Sequence, residues 1–332
     1  MSDNIATIGG KPAMMYAGQV PWHKLGTPLK NPATAAEAIS AARLDWEVAK
    51  TPLHIKQGQH YQLVRDHFAT VRVGEFDTGT PHVLGIVGRD YTPLQNRDAF
   101  NWFDPIVGKE AAIYHTAGAL GDGERIWILA KLPGEFRVVG DDITRKFLLL
   151  SNSHDGSGSV HVKFTPIRVV CQNTLTMALS QGKGVRIKHT SSLPERMALA
   201  EHALGIIRHR FDEIEGDFQK LAVVPMNEKK LNDYLQLVFP DPADRDNDRA
   251  MKRITQARQQ SRQLFEFGTG NTAEKVRGTL WAAYNGVTEF IDYASGDRSP
   301  DRHLDSIWFG SGYLTKARAF RVAMENAGAW KN

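Results

Sequence analysis

The chain has 332 residues, and its 42% hydrophobic and 23% charged composition is that of an ordinary globular protein with length for about two domains and a full core. Its single cysteine, Cys171, excludes an intramolecular disulfide and a cysteine-based zinc site, which needs several thiolates. A net charge of +4 and a pI of about 9.0 permit a polyanionic partner without requiring one.

No apolar run approaches the roughly 18–20 residues that span a bilayer, and the first residues lack a basic start followed by an apolar stretch. A cytoplasmic protein with no membrane partner is therefore expected. The pattern changes near residue 190. Before it, short β-branched and aromatic runs alternate with Gly, Pro and Asp turns; after it, long segments have helical periodicity.

In chain order, residues 32–42 read as a short helix capped at Thr34. Residues 46–53, 61–65 and 70–73 read as strands, and 83–88 is a further apolar run. Residues 96–103 form a short helix. Residues 111–117 and 125–132 are strands around the turn Gly121-Asp122-Gly123. Residues 145–151 and 159–164 flank a polar loop, and 168–180 begins extended and ends helical.

The second half opens on the capping box Ser192-Leu193-Pro194-Glu195. Apolar residues follow at Met197, Ala200, Leu204, Ile207, Phe211, Ile214, Phe218 and Leu221, alternating steps of three and four in the pattern of a coiled-coil seam. This predicts a long helix whose seam packs either within the chain or against a second subunit. Further helices are predicted over 227–239, 246–267, 272–293 and 313–327. On the 272–293 helix, Leu280, Tyr284, Val287 and Ile291 fall at core spacing beside Trp281. The expected fold class is α+β: an antiparallel sheet domain over 1–190 and a C-terminal helical domain over 191–332.

The strongest functional signal is a stretch without carboxylates. Residues 156–194 contain no Asp or Glu, while Lys163, Arg168, Lys183, Arg186 and Lys188 fall within them, with His161 and His189 alongside. Cations release the counterions of a polyanion, and carboxylates would repel it. In Val160-His161-Val162-Lys163-Phe164 the apolar residues take one face of a strand, leaving His161 and Lys163 on the other. The loop Gly182-Lys183-Gly184 offers backbone amides to a phosphate. The plainer reading is a basic surface whose acidic partners, such as Glu195 or Glu201, lie on the helices.

The loop from Ser151 to Ser159 is the most enzyme-like segment. Its His154 and Asp155 could serve as general base or metal ligand, or the loop could be a plain hairpin turning at Asp155-Gly156. No spacing matches a strong metal motif, and no Walker loop or GxGxxG follows a strand, so no cofactor is implied. In the Asp244-x-Asp246-x-Asp248 run, Arg249 stands at the glycine position of a calcium loop and Thr255 at the glutamate position, which rejects that reading. Cys171 sits among apolar neighbours and reads as an inert thiol.

Several segments together resemble the phage/plasmid-like protein family. They are residues Pro21-Trp22-His23-Lys24-Leu25-Gly26, Ser153-His154-Asp155-Gly156-Ser157, Thr165 through Leu175, Lys188-His189-Thr190, and Gly278-Thr279-Leu280-Trp281-Ala282-Ala283-Tyr284-Asn285. The resemblance implies a phage or mobile-element setting and brings no catalytic residues with it. In outline, strands followed by helices with a basic surface are also similar to the single-strand-annealing recombinases of phages, oligomers that hold single-stranded DNA in a positive groove.

The expectation is a non-enzymatic DNA-binding protein of phage or plasmid DNA metabolism. Single-stranded DNA is its favoured partner, annealing its finer activity, and a homo-oligomer its assembled form. His161, Lys163, Arg168, Lys183, Arg186 and Lys188 would contact phosphates. One alternative is a metal-assisted nucleic-acid hydrolase using His154 and Asp155. Another is a protein that engages a host factor through its helices.

Overall fold

The computed structural model describes residues 5–18, 21, 24–29, 33–74, 81–109, 113–168, 185–199, 210–244, 246–295, 306–307 and 310–330. The fold is α+β. Strands β1 (Thr7–Ile8), β2 (Lys11–Pro12), β3 (Met14–Ala17) and β4 (Thr27–Leu29) are followed by helix α1 (Ala35–Ala41). Strands β5 (Glu47–Gln57), β6 (His60–Val73) and β7 (His82–Gly88) precede helix α2 (Asn96–Lys109). Then come β8 (Ile113–Leu120), β9 (Arg125–Arg137), β10 (Ile143–Ser153), β11 (Val160–Arg168) and β12 (Val185–Ile187). Residues 193–199 are helical. The chain ends in helices α3 (Arg210–Ala222), α4 (Glu228–Val238), α5 (Asp248–Phe267), α6 (Leu280–Glu289) and α7 (Ser311–Trp330).

The chain forms two compact units. The first holds Met1–Pro133, Phe147–Phe164 and Lys183–Ile206, and the second Gly134–Lys146, Thr165–Gly182 and Ile207–Asn332. A seven-stranded sheet runs in the order β12-β11-β10-β9-β8-β3-β4, and a three-stranded sheet in the order β5-β6-β7. The pairings β11–β12, β3–β8 and β8–β9 are antiparallel, whereas β3–β4 is parallel, so the larger sheet is mixed at that end.

In the first unit, β8 and β9 read apolar almost continuously, and both are buried: Ala117, Ala119, Ile126, Trp127, Ile128 and Ala130 have 2% exposure or less. Such runs, rather than strict alternation, mark strands covered on both faces. Helix α1 has the predicted cap. Thr34 Oγ1 accepts from Glu37 N at 3.2 Å, and Thr34 N donates to Glu37 Oε2 at 2.8 Å.

The second unit is built around α6, all of whose residues are buried. Phe218 of α3 lies between Trp281 and Phe320, with ring centroids 4.8 and 5.5 Å away. The Trp281 indole donates to Asp142 Oδ2 at 2.6 Å, which answers its only polar atom inside the core. A buried ion pair joins Lys316 of α7 to Asp292 at 2.7 Å. Where the seam residues are described, Met197, Ile214, Phe218 and Leu221 are buried. The middle of the predicted long helix, 200–209, lies outside the described residues.

The predicted helix over 272–293 begins at Leu280 instead. Gly278 takes φ +70°, which L side chains rarely adopt, and Thr279 caps the helix with its hydroxyl 3.2 Å from Ala282 N. The preceding backbone is used elsewhere. Met226 N donates to Gly278 O and Leu280 N to Val224 O, an exchange that holds Thr279 in an extended bridge opposite Pro225. After Glu289 the helix widens into a π-turn over Phe290–Ala294. Among the described residues, no helix is long and apolar enough to cross a membrane.

Candidate functional site

The acid-free stretch supplies two adjacent strands of the first unit, β12 and residues 160–164 of β11. They pair antiparallel with His161 opposite Arg186 and Val160 opposite Ile187. Alternation then sorts the side chains. Val160, Val162 and Ile187 are buried, His161 and Lys163 half-buried, and Arg186 exposed. Lys188, just past β12, is exposed, whereas His189 turns inward. Since β12 is the edge strand of its sheet, this cationic row sits on the rim.

A fourth cation joins from two strands away. Burial and then the charges of Arg186, Lys163 and Arg125 push the His161 imidazole down to about 4. The sequence gives no local sign of Arg125, which opens β9 after the Gly121-Asp122-Gly123 turn. Its guanidinium is lowered by burial, against which Asp155 and Glu124 act to raise it. Arg186 Nε also donates to Ser159 Oγ at 3.2 Å. The arrangement is a cluster of positive groups whose charges add to burial in opposing protonation of the imidazole among them. A phosphate placed there would offset those charges.

Of the remaining sequence-chosen residues, Arg168 closes β11, and nothing of its side chain is described. Lys183, the Gly182-Lys183-Gly184 loop and Cys171 lie outside the described residues. His189 belongs to the interior: its ring stacks on Tyr91 at 4.7 Å, and its Nδ1 lies 3.1 Å from Thr92 O.

The hairpin between β10 and β11 separates His154 from Asp155. The His154 ring is wholly buried, edge-on to Trp46 at 5.4 Å. Its Nε2 meets Asn96 Oδ1 at 3.0 Å, and Asn152 Nδ2 lies 3.4 Å from its Nδ1. That network fits a neutral ring donating from Nε2 and accepting at Nδ1. Burial, then the nearby His189, drives its pKa down to about 3, against a smaller upward pull from Asp155. Asn96 in turn donates to Leu44 O at 3.0 Å.

Asp155 faces the loop instead. Its Oδ1 accepts from Ser157 N at 2.8 Å, from Ser157 Oγ at 2.7 Å, and from Ser153 Oγ. Burial would raise this carboxyl, but those hydrogen bonds and the Arg125 charge outweigh it and hold the group below the usual range. Backbone contacts lock the turn. Tyr91 Oη donates to Ser153 O at 2.8 Å and His154 N to Glu124 O at 2.7 Å. A Cβ at Gly85 of β7 would stand 2.5 Å from Cα and O of Asp155, so only glycine admits the loop there. The same loop meets Arg125, whose Nη2 donates to Ser157 Oγ at 3.5 Å and whose charge faces Asp155. Among the described residues, no three His, Cys, Asp or Glu side chains gather as a metal site.

No curated protein and no solved structure matches the chain. A family match spans residues 83–308, from β7 through the hairpin, the basic strands and the helical core to just before α7. The chain therefore belongs to the DUF932 family, a domain of unknown function.

Proposed function

We propose that this protein binds nucleic acid, DNA above all, in the DNA metabolism of a phage or other mobile element within the bacterial cytoplasm. His161, Lys163, Arg186 and Lys188 form its phosphate-contacting row, Arg125 is a half-buried cation beside it, and Arg168 and Lys183 continue the same basic segment. The observation that carries the reading is the His161–Arg186 pairing, which gathers Arg186, Lys163 and Arg125 close enough for their charges to add to burial in opposing protonation of one imidazole. Such a potential attracts a polyanion and gains by counterion release. The resemblance to phage/plasmid-like proteins supports the setting. Single-strand annealing is the finer activity within this reading.

The test is binding of the purified chain to labelled single- and double-stranded DNA across a salt series. Arg186→Ala with Lys188→Ala removes two exposed charges and should lower the log–log salt slope for single strands by about 1.4 while weakening every sequence alike. Unchanged affinity and slope in that variant would remove the basic row from the binding surface. Acceleration of pairing between complementary strands then tests annealing itself.

A further inference from the structure

The β5–β6 hairpin extends past the sheet that carries it. Strand β7 pairs with β6 from His67 to Arg72, so among the described residues the hairpin tip has two strands and no third. Every residue from His54 to Leu63 is exposed. A register shift sets this tip apart: from Pro52 to His54, β5 advances two residues, while β6 uses five from Leu63 to Phe68. Beyond it the pairing is regular, with His54 opposite Leu63, Ile55 opposite Gln62, Lys56 opposite Tyr61 and Gln57 opposite His60, closed by a turn at Gly58-Gln59.

The tip has the composition of a contact surface. Large apolar groups normally avoid water, yet Ile55, Tyr61 and Leu63 are 58%, 68% and 52% exposed. Lys56 Nζ sits 5.8 Å from the centre of the Tyr61 ring, so cation and aromatic share one face. His60 and the amides of Gln57 and Gln62 occupy the other. Residues 48–65 contain no Asp or Glu, while Lys50, Lys56 and Arg65 fall among them. This is a second carboxylate-free segment, separate in sequence from the basic row and N-terminal to the family match at residue 83.

We propose that the β5–β6 ribbon is a duplex-binding arm that inserts its tip into a DNA major groove. The dimensions fit. Paired strands lie about 4.8 Å apart, and the major groove, about 12 Å wide, accepts a two-stranded ribbon. Four residues per strand at about 3.3 Å each reach about 13 Å, beyond the groove depth of about 8.5 Å. Lys56 and Arg65 then meet phosphates at the groove walls. Gln57 and Gln62, which can bridge the N6 and N7 positions of adenine, meet base edges. The arm rests on the reading of the chain as a DNA-binding protein but not on the basic row, and it adds duplex binding to a surface otherwise suited to any strand.

Three proteins separate the two ideas: the unaltered chain, Lys56→Ala/Arg65→Ala, and Arg186→Ala/Lys188→Ala. Each is titrated by fluorescence anisotropy with a labelled hairpin duplex and with an unstructured oligonucleotide, after circular dichroism melting shows the fold retained. The arm variant should lose roughly tenfold affinity for the duplex, with a salt slope lower by about 1.8, and keep its single-strand affinity. Loss confined to the basic-row variant on both DNAs overturns the arm and leaves the basic row standing. Duplex loss in the arm variant alone keeps the arm and removes the row. Equal loss by the arm variant on both DNAs denies it a groove. Unchanged DNA binding with lowered mass in sedimentation for the arm variant assigns the ribbon to a second copy of this chain.

Discussion

His161 of β11 stands directly opposite Arg186 of β12, on the outward face of an edge pairing whose inward residues, Val160, Val162 and Ile187, are all buried. Opposite residues in an antiparallel pair have Cβ atoms about 4.5–5.5 Å apart, where like charges destabilise. The imidazole resolves the conflict by remaining neutral.

Under the proposed DNA-binding reading, that neutrality gives binding a definite pH sign. In the free protein His161 gains its proton only near pH 4. A bound phosphate offsets the neighbouring charges and raises that value, so binding takes up a proton below neutrality. Burial still holds the value below the ordinary range, so affinity should rise as the pH falls from 7.5 toward 4. His161→Gln should abolish the rise. A flat profile for the unaltered chain would count against phosphate contact at this position.

The burial of His154 predicts a role in stability. Its folded pKa of about 3 lies below the ordinary 6.5, so the unfolded chain takes its proton first. The stabilisation from this group is therefore complete above pH 6.5 and drains away as the pH falls toward 3, by up to about 5 kcal/mol. His154→Ala removes the ring from between Asn96 and Trp46 and should cost about 2–4 kcal/mol at pH 7.5 in urea unfolding. The hydrolase reading requires the opposite: normal stability with loss of a metal-dependent nuclease turnover.

Gly85→Ala tests the contact between β7 and the Ser153–Ser157 loop. The added carbon would stand 2.5 Å from the Asp155 backbone, so strand or loop must move, at about 1–3 kcal/mol. Displacement of the loop should also disturb Arg125 and weaken DNA binding, while Gly58→Ala at the hairpin turn should cost stability without touching the loop.

The Lys316–Asp292 pair predicts an asymmetry. Lys316→Met alone leaves a buried carboxylate and should destabilise by about 3–5 kcal/mol. Lys316→Met with Asp292→Leu should restore most of that loss, since two apolar groups of similar size need no partner. Denaturant melts of the two variants decide between a coupled pair and two independent sites.

Much of the local structure was legible in the residues themselves. The cap at Thr34, the helices over 227–239 and 246–267 and the apolar run of β9 carry their own signals, because caps and periodicity act over a few residues. The outward alternation of His161 and Lys163 was equally visible, as was the absence of carboxylates around them. Tertiary pairing decided the rest. Helix α6 starts at Leu280 because the backbone of residues 278–280 bonds to residues 224–226, a partner no local pattern announces. Only folding brings Arg125 to His161, places Arg186 across from it, and draws His154 inward beside Asn96 while Asp155 turns to Ser153 and Ser157. Neighbours along the chain settled which segments alternate, that a capped helix follows Thr34, and where negative charge is absent, since those depend on a few adjacent residues. The tertiary structure decided which cations share one surface and which histidine is sealed from it, because charge and solvent act through space.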